Sequence, residues 1–441
     1  MMRPFVRTMS AAWRGPLFAV AAFAVLALTA ACGDDETRSD SPSTTGAGEP
    51  DDSGEPTDTG DGDEPTPADP LYLVFGVSFT PEGAFSYGFP TADISAAGAV
   101  DLEQAATAPG FSSFQVPGEP DGTFLIGQSE SPVIDKYTIS ETGEIELDGQ
   151  VSLAGLGLQS GVGSTAGIVW VSPSQAYIFD EVELLAVEFN PTTMELVSNF
   201  SIAGLGHEGA GVTPSFGQAR VDGDRIVLMS RYFEGGVPVT ETRLAFIDPS
   251  DNAVSYAQQT ECANHLWLLE TDEALYFGPH PNQSSLFAAG LVDNAPCMKR
   301  LLRGADEYDP NFSLDLDSTI GAPAGAAVQG PGNIGYVLAY DAAVGGAITV
   351  DNAGSQATNT PAWNYVTVDL GTGTSKGPLQ GVPTGTGVGL GFEVEIDGVT
   401  VPFISAATSR AASTLFDVSD PDNVSATLNA PGIVLTVFRV R

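Results

Sequence analysis

LLAVEFNPTTMELVSNFSI (Leu184–Ile202) and RLAFIDPSDNAVSYA (Arg243–Ala257) read alike: an apolar strand, a turn opened by Asn190-Pro191 or Asp248-Pro249, and a second strand. Asn-Pro and Asp-Pro start turns well, because the short polar side chain bonds the nearby backbone and proline fixes φ. The phrase recurs in VIDKYTISETGEIEL (Val133–Leu147), YVTVDLGTGTSKGPL (Tyr365–Leu379) and TLFDVSDPDNVSATL (Thr414–Leu428). Weaker copies are FPTADISAAGAVDL (Phe89–Leu102) and FAAGLVDNAPCMKRL (Phe287–Leu301). Taking the turn residue as anchor marks Asp93, Ser140, Asn190, Asp248, Asp293, Asp369 and Asp417. These seven copies in residues 71–441 leave roughly 50 residues each, the size of a four-stranded propeller blade with its turns.

Other apolar segments fit the same unit. LYLVFGVSF (71–79), TFLIGQ (123–128), GIVWVS (167–172), RIVLMSRYF (225–233), ALYFG (274–278), IGYVLAY (334–340) and FISAAT (403–408) are short, β-rich and bounded by turn residues. No stretch keeps a helical period over three turns, which argues against βαβ units. One such sheet cannot cover both of its faces, and radial stacking solves that. The expected fold is therefore all-β, a seven-bladed β-propeller. The alternatives are a pair of sandwiches or a ring of six or eight blades. IVLTVFRV (433–440) follows the last copy without a hairpin partner, while the first copy lacks a leading strand. The C-terminal strand is thus expected to complete blade 1 and remove the open edges. The interval from Asp293 to Asp369 is overlong and contains TIGAPAGAAVQGPG (Thr319–Gly332), where a long loop is expected.

The N-terminus carries an address. Arg3, Arg7 and Arg14 precede the apolar run PLFAVAAFAVLALTAA (Pro16–Ala31), which ends at Cys32. A positive start, a short apolar run and small residues before the break describe a signal peptide over residues 1–31. LTAAC resembles a bacterial lipobox, with Leu28 one place further from the cysteine than the pattern prefers. The resemblance implies lipidation of Cys32, and Gly33 after it implies the outer membrane. Residues 32–70 then form a tether. From residue 33 on they hold thirteen acids, one arginine and almost no apolar side chains, so they are expected to be disordered and extended. Residues 71–441 are the propeller domain.

Charge narrows the partners. The chain has 56 Asp+Glu against 16 Lys+Arg, a formal net charge of -40. That excludes a general nucleic-acid binder and disfavours electrostatic docking on anionic lipid, so membrane contact is expected through the lipid anchor alone. Cys262 and Cys297 remain after Cys32. In an exported chain such a pair reads as one disulfide contributing about 3 kcal/mol, with two buried thiols as the alternative.

Few residues fall in the pattern of a catalytic motif. GVGSTAG around Ser164 is not a nucleophile elbow, and HEGAG at His207 lacks the second histidine of a zincin. His207, His265 and His280 fall in different contexts; turn or core roles are preferred over a His/carboxylate metal site. No catalytic residue, metal or cofactor is assigned. The basic residues are more telling. Seven of the twelve in the core fall between 220 and 303: Arg220, Arg225, Arg231, Arg243, Lys299, Arg300 and Arg303. Arg231-Tyr232 closes a strong strand where a guanidinium could hold an anion, so Arg231, Tyr232, Lys299 and Arg300 are the candidate ligand-binding residues. Local pairing with Asp222, Asp224, Glu234 and Asp306 is the competing reading.

VFGVSFTPEGAFSYGF (Val74–Phe89), VSPSQAYIFD (Val171–Asp180) and PCMKRLLRGADEYDPNFSLDLDS (Pro296–Ser318) resemble a family of myxobacterial lipoproteins. Some of its members are encoded with catecholate-siderophore genes of the myxochelin type. The resemblance spans roughly Leu71 to Arg441 and implies a propeller and an envelope address; it brings no catalytic residues. The expected function is a non-catalytic, outer-membrane-anchored propeller that binds a ferric siderophore or a receptor in iron acquisition. The alternatives are a hydrolase or lyase with a metal or His/carboxylate site at the central channel, and a structural surface lipoprotein.

Overall fold

The structure, a computed structural model, describes residues 70–81, 83–115, 122–140, 143–158 and 167–441. The expected signal segment, Cys32, its acidic tether up to residue 69, and Ser164 lie outside the described residues. Seven sheets form a ring, antiparallel but for one two-residue parallel pairing. The first strands of successive blades lie against one another around the axis, so each is the innermost strand of its sheet.

From inside outward, blade 2 is Ser113–Gln115, Thr123–Gly127, Val133–Ile139 and Ile145–Ser152. Blade 3 is Val169–Ser172, Gln175–Asp180, Leu185–Asn190 and Glu195–Ser201. Blade 4 is Val212–Asp222, Arg225–Glu234, Val237–Ile247 and Val254–Gln259. Blade 5 is His265–Glu270, Ala274–Pro279, Cys297–Leu302 and Ser313–Asp315. Blade 6 is Ala324–Gln329, Ile334–Tyr340, Trp363–Asp369 and Thr374–Pro378. Blade 7 is Leu390–Ile396, Val399–Ala407, Ala412–Asp417 and Ser425–Pro431. Blade 1 is made from both ends of the core: Ile433–Arg439 lies inside Tyr72–Thr80, Gly83–Thr91 and Ala106–Pro109. The C-terminal strand therefore closes the ring, pairing Tyr72 with Arg439 and Val74 with Val437. A second latch crosses the same seam, where Gly98–Ala99 from blade 1 pairs in parallel with Leu428 and Asn429 of blade 7.

Strand periodicity explains why the blades stack. Successive side chains point to opposite faces, and each face meets a different neighbour. In blade 4, Ile226 and Leu228 pack on blade 3, whereas Val227 and Met229 pack on blade 5. In blade 1, Tyr72 and Val74 face blade 7, while Leu73 and Phe75 face blade 2. Both faces are thus buried, and the strands read as near-continuous apolar runs rather than alternating ones. The seven apolar clusters correspond one to one with the seven blade interfaces.

The anchors have a common chemistry. Asn190, Asp369 and Asp417 end third strands and Asp248 directly follows one, and their side-chain oxygens accept from the N–H of Thr192, Thr372, Ser419 and Ser250 at 2.8–3.0 Å. Ser140 does the same toward the Glu144 N–H, and Asp93 does so toward Ser95 in blade 1. These side chains close the turn that reverses the chain into the outermost strand.

Two expectations are corrected. Asp293 is not such a turn. Phe287 belongs to the helix Pro281–Ala288, and Asp293 lies between the second and third strands of blade 5, on the opposite face of the ring. Cys297–Leu302 is that blade's third strand and residues 303–312 make its turn. The stretch Thr319–Gly332 is no long loop. It takes in the end of a short helix, Leu316–Ile320, and the fully buried innermost strand Ala324–Gln329. Its small residues suit the crowded axis: a Cβ on Gly325 would sit 2.8 Å from Leu338. The true insertion is 341–362, between the second and third strands of blade 6, carrying helices Ala342–Gly345 and Ser355–Asn359.

Candidate functional site

Loops after second strands and loops entering innermost strands share one face of the ring. On that face three adjacent blades bring together Glu181, Arg231, Asn264 and His280. Glu181 and His280 are each the first residue after a second strand, in blades 3 and 5. Arg231 lies near the end of the second strand of blade 4, and Asn264 immediately precedes the innermost strand of blade 5.

Arg231 is 2 % exposed. Its Nη1 donates to Asn264 Oδ1 at 2.9 Å, and its Nε has no partner among the described residues. Burial pulls its pKa down to about 10, with Glu181 opposing. Glu181 Oε2 accepts from the Phe216 N–H at 2.8 Å, which ties blade 3 to the innermost strand of blade 4. Burial pushes the Glu181 carboxyl up, while the Phe216 N–H and Arg231 draw it down; the net shift is upward. His280 caps the helix Pro281–Ala288, its Nδ1 accepting from the Asn282 N–H at 3.0 Å, so a neutral ring carries its proton on Nε2. Burial and then Arg231 hold that ring well below the usual histidine range. Glu181 and His280 are both partly exposed.

All three histidines lie on this face, each with an internal role. His207 Nδ1 accepts from the Gly209 N–H, and its ring packs against Tyr232. His265 is fully buried, Nε2 donating to the Cys297 carbonyl at 3.0 Å, and burial takes it to about 4. No group of three metal-ligating side chains occurs among the described residues.

The other candidates part company. Tyr232 donates its hydroxyl to the Leu205 carbonyl at 2.8 Å. Consecutive Lys299 and Arg300 point to opposite faces of their strand. Lys299 pairs with Glu261; Arg300 Nε donates to Asp309 at 3.0 Å, with its guanidinium over Phe312. Pairing continues through the basic sector: Arg225 on Asp222 and Asp306, Arg303 on Asp222 and Glu270, and Arg243 on Glu241. Asp222 and Asp306 thus act as expected, whereas Asp224 and Glu234 are exposed. A disulfide joins Cys262 to Cys297, Cα atoms 5.6 Å apart, fixing the entry of blade 5 to its third strand.

The opposite end of the channel holds a second charged group. Arg220, Glu270 and Glu393 stand on the innermost strands of blades 4, 5 and 7, with Arg220 Nε 3.8 Å from Glu270. Burial and then Glu270 push the Glu393 carboxyl up, against Arg220. Blades 5 and 7 are not neighbours, so the two carboxylates sense each other across the axis. Beside them a cavity of about 400 Å³ is lined by Asp222, Arg225, Asp272 and Arg303.

No protein-family model matches the chain. No curated protein matches it either. Among solved structures, the periplasmic gluconolactonase PpgL of Pseudomonas aeruginosa is 12 % identical at a TM-score of 0.50, covering 84 % of this chain and 99 % of its own. A hypothetical selenium-binding protein of Sulfolobus tokodaii is 9 % identical at a TM-score of 0.51, covering 85 % of this chain and 94 % of its own. At these identities the likeness establishes fold alone. The chain is a seven-bladed β-propeller.

Proposed function

We propose that this protein is a non-catalytic, ligand-binding propeller held at the cell envelope by a lipidated Cys32, with a role in iron-siderophore acquisition through a ferric siderophore or its receptor. One observation carries the binding site: Arg231 keeps an unpartnered N–H in a buried setting, whereas Lys299 and Arg300 sit on carboxylates of their own chain. A buried donor without a partner costs the folded state about 1–3 kcal/mol, which an oxygen-bearing anion would relieve. The siderophore role rests on the family resemblance.

The test is titration of a ferric catecholate into wild type, Arg231→Ala and Arg231→Ala/Arg300→Ala, followed by fluorescence quenching. Arg231→Ala is expected to weaken binding at least tenfold, and the added Arg300→Ala to change it little. Binding unchanged in the double variant removes the site. The acidic body repels an anion, so wild-type binding is expected to tighten as salt rises from 20 to 200 mM.

The enzyme reading draws its support from Glu393, an exposed carboxyl on an innermost strand whose pKa is shifted upward by desolvation and by Glu270 across the channel. A hydrolytic activity abolished by Glu393→Gln and retained by Arg231→Ala would favour it over ligand binding.

A further inference from the structure

A guanidinium offers five N–H donors in a rigid fork, and Nε–H with one Nη2–H point in parallel along one edge. That edge matches the two oxygens of a carboxylate. In Arg231 the opposite branch, Nη1, is spent on Asn264, and Nε is unpartnered. Glu181, whose Oε2 accepts from the Phe216 N–H, makes no hydrogen bond to that Nε. The guanidinium's charged neighbour is Glu181, whose carboxyl is shifted upward by burial although Arg231 draws it down, and His280 beside it is held well below the usual histidine range by burial and then by Arg231. Asn264, 1 % exposed, fixes the fork from the blade 5 side. The guanidinium is buried, 5.3 Å from the Phe233 ring centroid, and keeps an unpartnered N–H, an arrangement that is weak evidence of a role in stability.

We propose that the Nε/Nη2 edge of Arg231 receives the carboxylate of a small organic acid, which approaches past the partly exposed Glu181 and His280. This deepens the ligand-binding reading, on which it rests, by naming the group that Arg231 recognises. A carboxylate is planar and bidentate, so Arg231→Lys, which keeps the charge and loses the fork, is expected to bind poorly. Glu181→Gln removes the one competing carboxylate beside the cation and is expected to bind at least as well as wild type.

The experiment is calorimetric titration of the full-length protein with succinate, and with succinamide as its uncharged isostere. Saturable succinate binding is expected, with none for succinamide, and at least a tenfold loss in both Arg231→Lys and Arg231→Gln. Thermal unfolding of each variant reports its fold, and the succinate–succinamide comparison on wild type needs no variant at all. Equal binding of the two compounds, no saturable binding, or binding unaltered in a folded Arg231→Gln overturns the inference. A ferric catecholate arm separates the claims. Arg231-dependent catecholate binding without succinate binding defeats the carboxylate site and leaves the ligand-binding reading standing; succinate binding alone supports the carboxylate site and defeats the siderophore role.

Discussion

Asp317 shows how one side chain sets a pH response in a fold of neutral interfaces. It lies in the short helix leading into blade 6, where its Oδ1 accepts from the Ala324 N–H at 2.7 Å and the Ser284 hydroxyl at 2.8 Å. Burial nevertheless raises its pKa to about 6, the two donors offsetting part of that rise. An acid raised above its unfolded value near 4 binds more protons folded than unfolded between those two values. Stability therefore falls as pH climbs from about 4 to about 6 and is flat above. Asp317→Asn keeps an oxygen for both donors and removes the charge. It is expected to stabilise by about 1–2 kcal/mol at pH 8, allowing for partial exposure, and to change nothing below pH 4. Urea unfolding at the two pH values checks this; an equal shift at both, or a loss at pH 8, contradicts it. Single residues were also where sequence reading reached least. Arg231 could be singled out because it ends a strong strand. Glu181, Asn264 and His280 could not, because they meet it only through ring geometry. A signal existed for one of them: Glu181 stands one strand ahead of the true anchor Asn190, whereas His280 holds the equivalent position in blade 5, whose anchor Asp293 was misplaced.

At the scale of elements, the repeated turn was legible because its chemistry is local: an Asp, Asn or Ser oxygen accepting from an N–H two to four residues on. Asp293 misled for the same reason, since an Asp-Asn pair between apolar segments looks alike wherever it falls. The innermost strand Ala324–Gln329 was misread because axial crowding selects alanine and glycine, which on local propensity read as loop. Gly432 is the joint between the last outer strand and the closing strand. Its φ is +72° and a Cβ there would lie 1.9 Å from the Val77 carbonyl oxygen. Backbone meets backbone at that point, so no side chain can give way. Gly432→Ala is expected to destabilise by about 2–4 kcal/mol, from positive φ and the clash together. A denaturation midpoint matching wild type would contradict this.

For the whole molecule, each sheet contributes half of two interfaces, and no blade completes its apolar contacts without both neighbours. The disulfide in blade 5, closing a separation of 35 residues, adds a constraint of about 3–4 kcal/mol on the chain-entropy model. The number of blades and their closure were legible because both follow from counting: six true turns, a seventh copy whose anchor was misplaced but whose strand Cys297–Leu302 was real, and one strand left over at the C-terminus to fill the one missing at the start. Closure is what turns seven thin sheets into one body and brings three blades together at Arg231. Cysteines at Val74 and Val437, which face each other across the seam, test it most directly. In Val74→Cys/Val437→Cys, mass spectrometry of the oxidised monomer is expected to find the peptides around 74 and 437 joined within one chain. Only intermolecular cross-links, or none, would show that the C-terminal strand does not dock beside the opening one.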